Sequence, residues 1–176
     1  DPDANDPAVY RAGWEAALNS ATQAALYQNV PVAYMWDDHD WAPNDGDGSH
    51  VGRPAALATY REVVPHYPIP FAGDPDDTPV GQTFVVGRVR LVVLDTRSES
   101  DFYGQSAGNG IMIGETQLAW LLNIIETFTE RLLIITVQIP WIVTGTAIVE
   151  DDWGHCRAER TAISDAIQAH AKGRVL

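Results

Sequence analysis

Apolar residues recur at helical spacing between Asp6 and Gln28, with Trp14, Leu18, Ala21 and Ala25 on one face. Asp6-Pro7 has the form of an N-cap followed by proline in the first turn. The pattern predicts one helix with one buried face. Val30-Pro31-Val32-Ala33-Tyr34-Met35 is a short apolar run and predicts a buried strand. Pro43 through Gly52 is rich in Gly, Asp and Asn and predicts a loop. Pro54 to Val64 predicts a second helix, with Leu57, Tyr60 and Val64 on one side. The proline-rich stretch from His66 to Pro79 predicts irregular chain.

Thr83–Val86 and Val89–Leu94 are β-rich runs separated by Gly87-Arg88, the spacing of a hairpin. Asp101 to Gly110 predicts a further loop. Gly114 opens a helix running to Phe128, its apolar face formed by Leu118, Leu121, Leu122 and Ile125. Leu132 to Val137 is an aliphatic run broken only by Thr136, the pattern of a strand covered on both faces. Ala158 to Ala171 predicts a last helix, and Val175-Leu176 would begin the next strand. β–α alternation plus a hairpin predicts an α/β fold, a layered α+β sandwich.

The 176 residues suffice for one domain with its own core. The chain opens on Asp1 rather than Met and closes where a strand starts, so a piece truncated at both ends is expected. The net charge is -13, and Lys172 is the only lysine. No basic stripe is available for a phosphate backbone, which argues against nucleic acid, and the acidic surface argues against anionic membranes. No run is long enough to span a membrane, and no signal peptide is visible. The single cysteine, Cys156, permits no intrachain disulfide and leaves the compartment undecided.

The densest chemistry lies in Trp36-Asp37-Asp38-His39-Asp40-Trp41, directly after the first apolar run. In open α/β sheets, ligands sit where loops leave the carboxyl ends of strands. Three carboxylates around one imidazole repel one another. A bound cation or a shared proton is one reason for such a group, and a solvated acidic turn is the other. Asp38 is suited to a divalent cation, and His39 to giving a proton to a leaving oxygen. Asp40 is suited to holding the imidazole in one tautomer.

This stretch resembles the W-D-D-H-[DEN] block of the PhoD-like (alkaline phosphatase D) metallophosphatases, within the calcineurin-like superfamily. Further blocks agree in order. Phe84 through Arg97 resembles the family's hairpin ending in L-D-T-R, and Gly114–Leu121 its G-x-x-Q-x-x-W-L helix start. Pro140-Trp141 and Trp153–Arg160 resemble its P-W and W-x-G-[YF]-x-x-E-R segments. The resemblance covers nearly the whole chain and implies a partial calcineurin-like metallophosphatase fold.

The resemblance implies that the intact protein hydrolyses phosphate esters with two metal ions (calcium, iron, manganese or zinc). Asp38 would be a metal ligand, with Asp37 supporting it on the metal side. His39 would act on the leaving group, with Asp40 supporting it in the catalytic set. The resemblance also implies a periplasmic or extracellular location. The superfamily's D-x-H and G-D blocks are expected before Asp1, and its G-D-x-H block after Val175, so an incomplete metal centre is expected. Arg157 stands where a G-H-x-H pattern from Gly154 would need its second histidine, and His155 is read as a non-ligand.

Other readings stay open. Arg97 suits a phosphate oxygen or a buried ion pair. Arg157 could lower the pKa of Cys156, though a lone thiol is usually structural. The chain could be a binding or scaffold domain without metals. It could also be a calcium-stabilised module built on the loop from Asp38 to Asp47, although Asx-turn chemistry explains that loop more simply.

Overall fold

The computed structural model describes residues 5–101, 109–142, 152–171 and 174–176. Most of the loop expected over 101–110 lies outside them. Helix α1 (Pro7–Leu18) is followed by α2 (Ala21–Tyr27), α3 (Arg53–Val63), strands β1 (Gln82–Val86) and β2 (Val89–Val93), α4 (Gly114–Thr127), β3 (Leu132–Thr136) and α5 (Arg157–Ala166). A π turn, Ile167–Ala171, continues α5. β1 and β2 pair antiparallel around Gly87, whose φ of 60° is the left-handed value the first position of a tight hairpin turn takes. β2 and β3 are parallel and joined through α4. A parallel bridge from Leu133 to Val175 adds the start of the next strand beyond β3, as the sequence predicts.

Two expectations fail. The single helix from Asp6 to Gln28 is two helices, because Asn19 caps the end of α1 and Ser20 opens α2. Only Trp14 of the expected face is buried. The run from Val30 to Met35 forms no strand and pairs with none among the described residues. Pro31 has no amide hydrogen to give a ladder. Side chains take the carbonyls that a neighbouring strand would otherwise use. Tyr60 Oη donates to Tyr34 O at 3.0 Å, and Gln138 Nε2 donates to Trp36 O at 2.9 Å.

Two apolar clusters form. One lies between the sheet, α4 and α5, around Val92, Leu94, Leu121, Ile125, Leu133 and Trp153. There Trp141 packs on Trp153 with ring centroids 4.8 Å apart, so the P-W and W-x-G blocks meet in space. The other cluster joins α1, α3 and the Trp36–Trp41 turn, around Trp14, Trp36, Trp41, Leu57 and Tyr60.

α4 begins without a side-chain cap of its own. Glu159 of α5 supplies it by accepting from the amides of Met112 (2.7 Å), Ile113 (3.2 Å) and Gly114 (3.0 Å). A carboxylate at a helix N-terminus also meets the positive end of the dipole. Glu159→Ala should lower unfolding stability by about 3 kcal/mol in urea titrations, because three buried amides lose their acceptor. A loss below about 1 kcal/mol would mean water replaces the carboxylate freely.

Candidate functional site

Trp36 and Trp41 are both buried and stack with centroids 5.4 Å apart. The chain between them therefore closes into a single tight turn. Asp37 is extended, and Asp38–Asp40 form one 3-10 turn. A capping box closes it. Asp37 Oδ1 accepts from Asp38 N at 2.9 Å, and Asp40 Oδ2 accepts from Asp37 N at 2.8 Å. Trp36 Nε1 donates to Asp95 Oδ1 at 2.9 Å, which fastens the turn to the loop leaving β2.

Each carboxylate of the acidic knot has its own donors. Asp38 is 5% exposed, with Oδ1 accepting from His39 N at 2.8 Å and Oδ2 from Asp45 N at 2.6 Å. Burial alone would raise its pKa. The Asp45 and His39 amides and the Arg97 charge outweigh burial and hold the carboxyl below its ordinary value. Asp38 is therefore an anion at neutral pH, with lone pairs left over for a further partner. Asp37 pairs with Arg97 Nε at 2.6 Å. Arg97 is 2% exposed and has Nη2 3.9 Å from Asp38 Oδ1, so of its two expected roles the ion pair is the one seen, with the guanidinium buried and the Asp37 side chain half exposed.

The expected role of Asp40 needs correction. Its Oδ1 accepts from Tyr34 Oη at 3.0 Å and its Oδ2 from the Asp37 amide, and the imidazole is held elsewhere. His39 Nε2 lies 3.2 Å from Asn44 Oδ1. Successive side chains of a 3-10 turn leave in directions about 120° apart, so Asp40 points back at its own cap. Burial also raises the Asp40 pKa. The knot is thus held by local hydrogen bonds and one arginine.

Exposed His39 and part-buried Asp40 line a cavity of about 370 Å³ between α1, α2 and the turn. Tyr10, Trp14, Tyr27 and Tyr34 also line it. Among the described residues, no three His, Cys, Asp or Glu side chains come together as a metal site. Asp37 and Asp38 alone do not fit the pair of ions the resemblance implies.

The loop after the turn spends its polar groups on itself. Asp47 Oδ1 accepts from Ser49 N at 3.0 Å, an Asx turn, and Gly48 N donates to Ser100 O at 2.9 Å. A side chain at Gly48 would meet Ser98 O at 2.6 Å, so only glycine allows this approach. Cys156 is buried, and burial pushes its pKa up to about 12, with Glu159, Asp152 and Asp101 adding to the rise; Arg157 does not activate it.

Three residues that hold the site escape sequence reasoning. Asp95 is buried and accepts from Trp36 Nε1, Val80 N (2.9 Å), Arg97 N (3.1 Å), Ser98 N (3.0 Å) and Ser98 Oγ. Gln117 clamps the Asp95 backbone, its Nε2 donating to Asp95 O at 2.7 Å and its Oε1 accepting from Asp95 N at 2.9 Å. Gln82 Nε2 donates to Tyr60 Oη at 2.9 Å and to Tyr34 O at 3.3 Å. The L-D-T-R and G-x-x-Q blocks carry two of these residues, and that block membership is the available signal.

No curated protein matches the chain. A solved structure described as "Structure of PhoD" matches with a TM-score of 0.73 at 23% identity, over 88% of this chain and 35% of that one. At that identity the likeness establishes the fold, and this chain spans about a third of the length of that protein. A family model, PhoD-like phosphatase, matches residues 2–176. Taken with the buried Asp38, the cavity-facing His39 and the Asp95 and Gln117 supports, this match places the chain in the PhoD-like phosphatase family.

Proposed function

We propose that this chain supplies the leaving-group side of a centre that hydrolyses phosphate esters, with His39 as proton donor and Asp38 as one metal ligand. The observation that carries the reading is their arrangement. Asp38 is buried and kept anionic, while the next residue, His39, is exposed at a cavity. In the reaction a water oxygen bonds to phosphorus and the P–O bond to the alcohol breaks. His39 gives its proton to the departing oxygen, which leaves as a neutral alcohol. Asn44 holds one ring nitrogen, and Arg97 fixes Asp37 beneath the turn.

The metal ions of this reading need ligands from beyond the described residues. Titrated calorimetrically with calcium, manganese or zinc, the 176-residue chain should reveal no site tighter than roughly millimolar. A micromolar site would overturn that expectation. A longer protein containing this chain should hydrolyse esters in a metal-dependent way, and Asp38→Asn should abolish the stimulation. Hydrolysis that persists unchanged in a strong chelator would sink the reading.

The alternative reading is a binding or scaffold domain without catalysis. The longer protein separates the two, because a scaffold yields no metal-stimulated turnover. Location outside the cytoplasm belongs to the proposal on family grounds. No described helix is long and apolar enough to cross a membrane.

A further inference from the structure

The cavity beside His39 has walls that the proton-transfer role does not use. α1 contributes Tyr10, Gly13, Trp14 and Ala17, and α2 and the segment after it add Tyr27 and Tyr34. Gly13 and Ala17 are four residues apart, so they lie on one helix face. Among the described residues no Lys or Arg lines the space, whereas Asp40 does. Its volume of about 370 Å³ falls at the small end of the range, about 300–1,000 Å³, that takes small organic ligands. Aromatic walls offer flat apolar surface, and the single carboxylate repels anions.

We propose that this cavity receives the alcohol portion of the substrate, and that the alcohol it selects is uncharged and carries an aromatic ring. The inference rests on the proposed role of His39. A proton donor must lie within hydrogen-bond reach of the leaving oxygen, so the rest of the leaving alcohol extends into whatever space adjoins the imidazole. That space is the one between α1 and α2. The His39 proton is committed to the leaving oxygen, so an anionic group further along the alcohol portion meets Asp40 with no Lys or Arg among the described lining residues to offset it, and is disfavoured.

Gly13 provides a clean perturbation. Gly13 lines the cavity, and a Cβ added there meets nothing within 4 Å, so a side chain can be introduced at this wall without an initial clash. Glycine inside a helix is also conformationally costly, so Gly13→Leu should melt at the same temperature as the parent or higher.

The test has a binding arm and a kinetic arm. In the first, 2-phenylethanol is titrated into the 176-residue chain and followed by amide chemical shifts. Shifts should concentrate in α1, α2 and the turn, ethanol should give none, and Gly13→Leu should weaken binding at least tenfold. Absence of 2-phenylethanol binding overturns the inference.

In the second arm, the longer metal-loaded protein is given ethyl, 2-phenylethyl and 2-carboxyethyl phosphate. All three are simple alkyl esters, so recognition of the group beyond the oxygen separates them. The ring should raise kcat/KM by about tenfold or more, the value of burying one aromatic side group, and the carboxylate should lower it. Gly13→Leu should bring the phenylethyl ester down to the ethyl one, mainly through KM. His39-dependent hydrolysis with equal rates for the three esters overturns the inference and leaves the proposed function standing. Binding of 2-phenylethanol without any His39-dependent hydrolysis overturns the leaving-group assignment through failure of the proposed function.

Discussion

His39→Ala should lower metal-dependent ester hydrolysis by the longer protein by about 10²–10⁴-fold, the range for losing a positioned general acid. The fold should barely respond. The imidazole is exposed, and its ring contact is with Asn44 Oδ1 at 3.2 Å, so the stability change should stay within about 0.5 kcal/mol. The leaving group supplies the sharper discrimination. An alkoxide is a poor leaving group unless protonated, whereas an acidic phenol departs readily as its anion. The alanine variant should therefore lose most of its rate on alkyl esters and much less on nitrophenyl esters. A uniform loss across both would mean that His39 organises the turn rather than transferring a proton. An undiminished rate would remove it from the reaction altogether.

Much of the architecture is legible because it is local. The hairpin is visible in two β-rich runs around Gly87, and it forms with Val86 opposite Val89. α4 is visible in its apolar stripe, although Gln117 shares the buried face with Leu121, Ile124 and Ile125, while Leu118 and Leu122 are only half-buried. The break between α1 and α2 had a signal in Asn19-Ser20, a capping pair overridden by the longer apolar period. The false strand at Val30–Met35 is a different failure. A strand is defined by hydrogen bonds to a partner, and composition says nothing about whether one arrives. Here the carbonyls of Tyr34 and Trp36 are claimed by Tyr60 and Gln138, 26 and 102 residues later.

The site divides along the same line. Asp37 through Asp40 are adjacent in sequence, so their convergence was readable. Asp40's commitment to the cap and to Tyr34 was not, because the alternative, a contact with His39, is equally short in sequence. Arg97 finds Asp37 across 60 residues, a pairing no spacing rule predicts. Part of the repulsion among these carboxylates is answered by this arginine and by backbone amides.

Asp95→Ala should be the most damaging single change to the fold, costing about 4–5 kcal/mol, since several buried donors lose one acceptor at once and each orphan costs about 1–3 kcal/mol. Those donors come from four residues at three places in the sequence: Trp36, Val80 and the adjacent Arg97 and Ser98. The carboxylate joins the Trp36 cluster to the loop leaving β2, so the loss falls where the two apolar clusters meet. A typical domain has only about 5–15 kcal/mol of stability, so the variant should be near its unfolding threshold at 37 °C. Asp95→Asn separates hydrogen bonding from shape. With its carbonyl oxygen at Oδ1, the amide still accepts from Trp36, Arg97 and Ser98 N, and Ser98 Oγ can turn to accept from the new NH₂. The Val80 amide, 2.9 Å from Oδ2, then faces a donor and has no acceptor. One orphaned amide predicts a loss of about 1–3 kcal/mol, well short of alanine. Urea unfolding of the three proteins measures the order directly. Equal losses for Asn and Ala would show that charge rather than the acceptor pattern matters at Asp95, and a loss below about 1 kcal/mol for Ala would show that the donors find water or other partners.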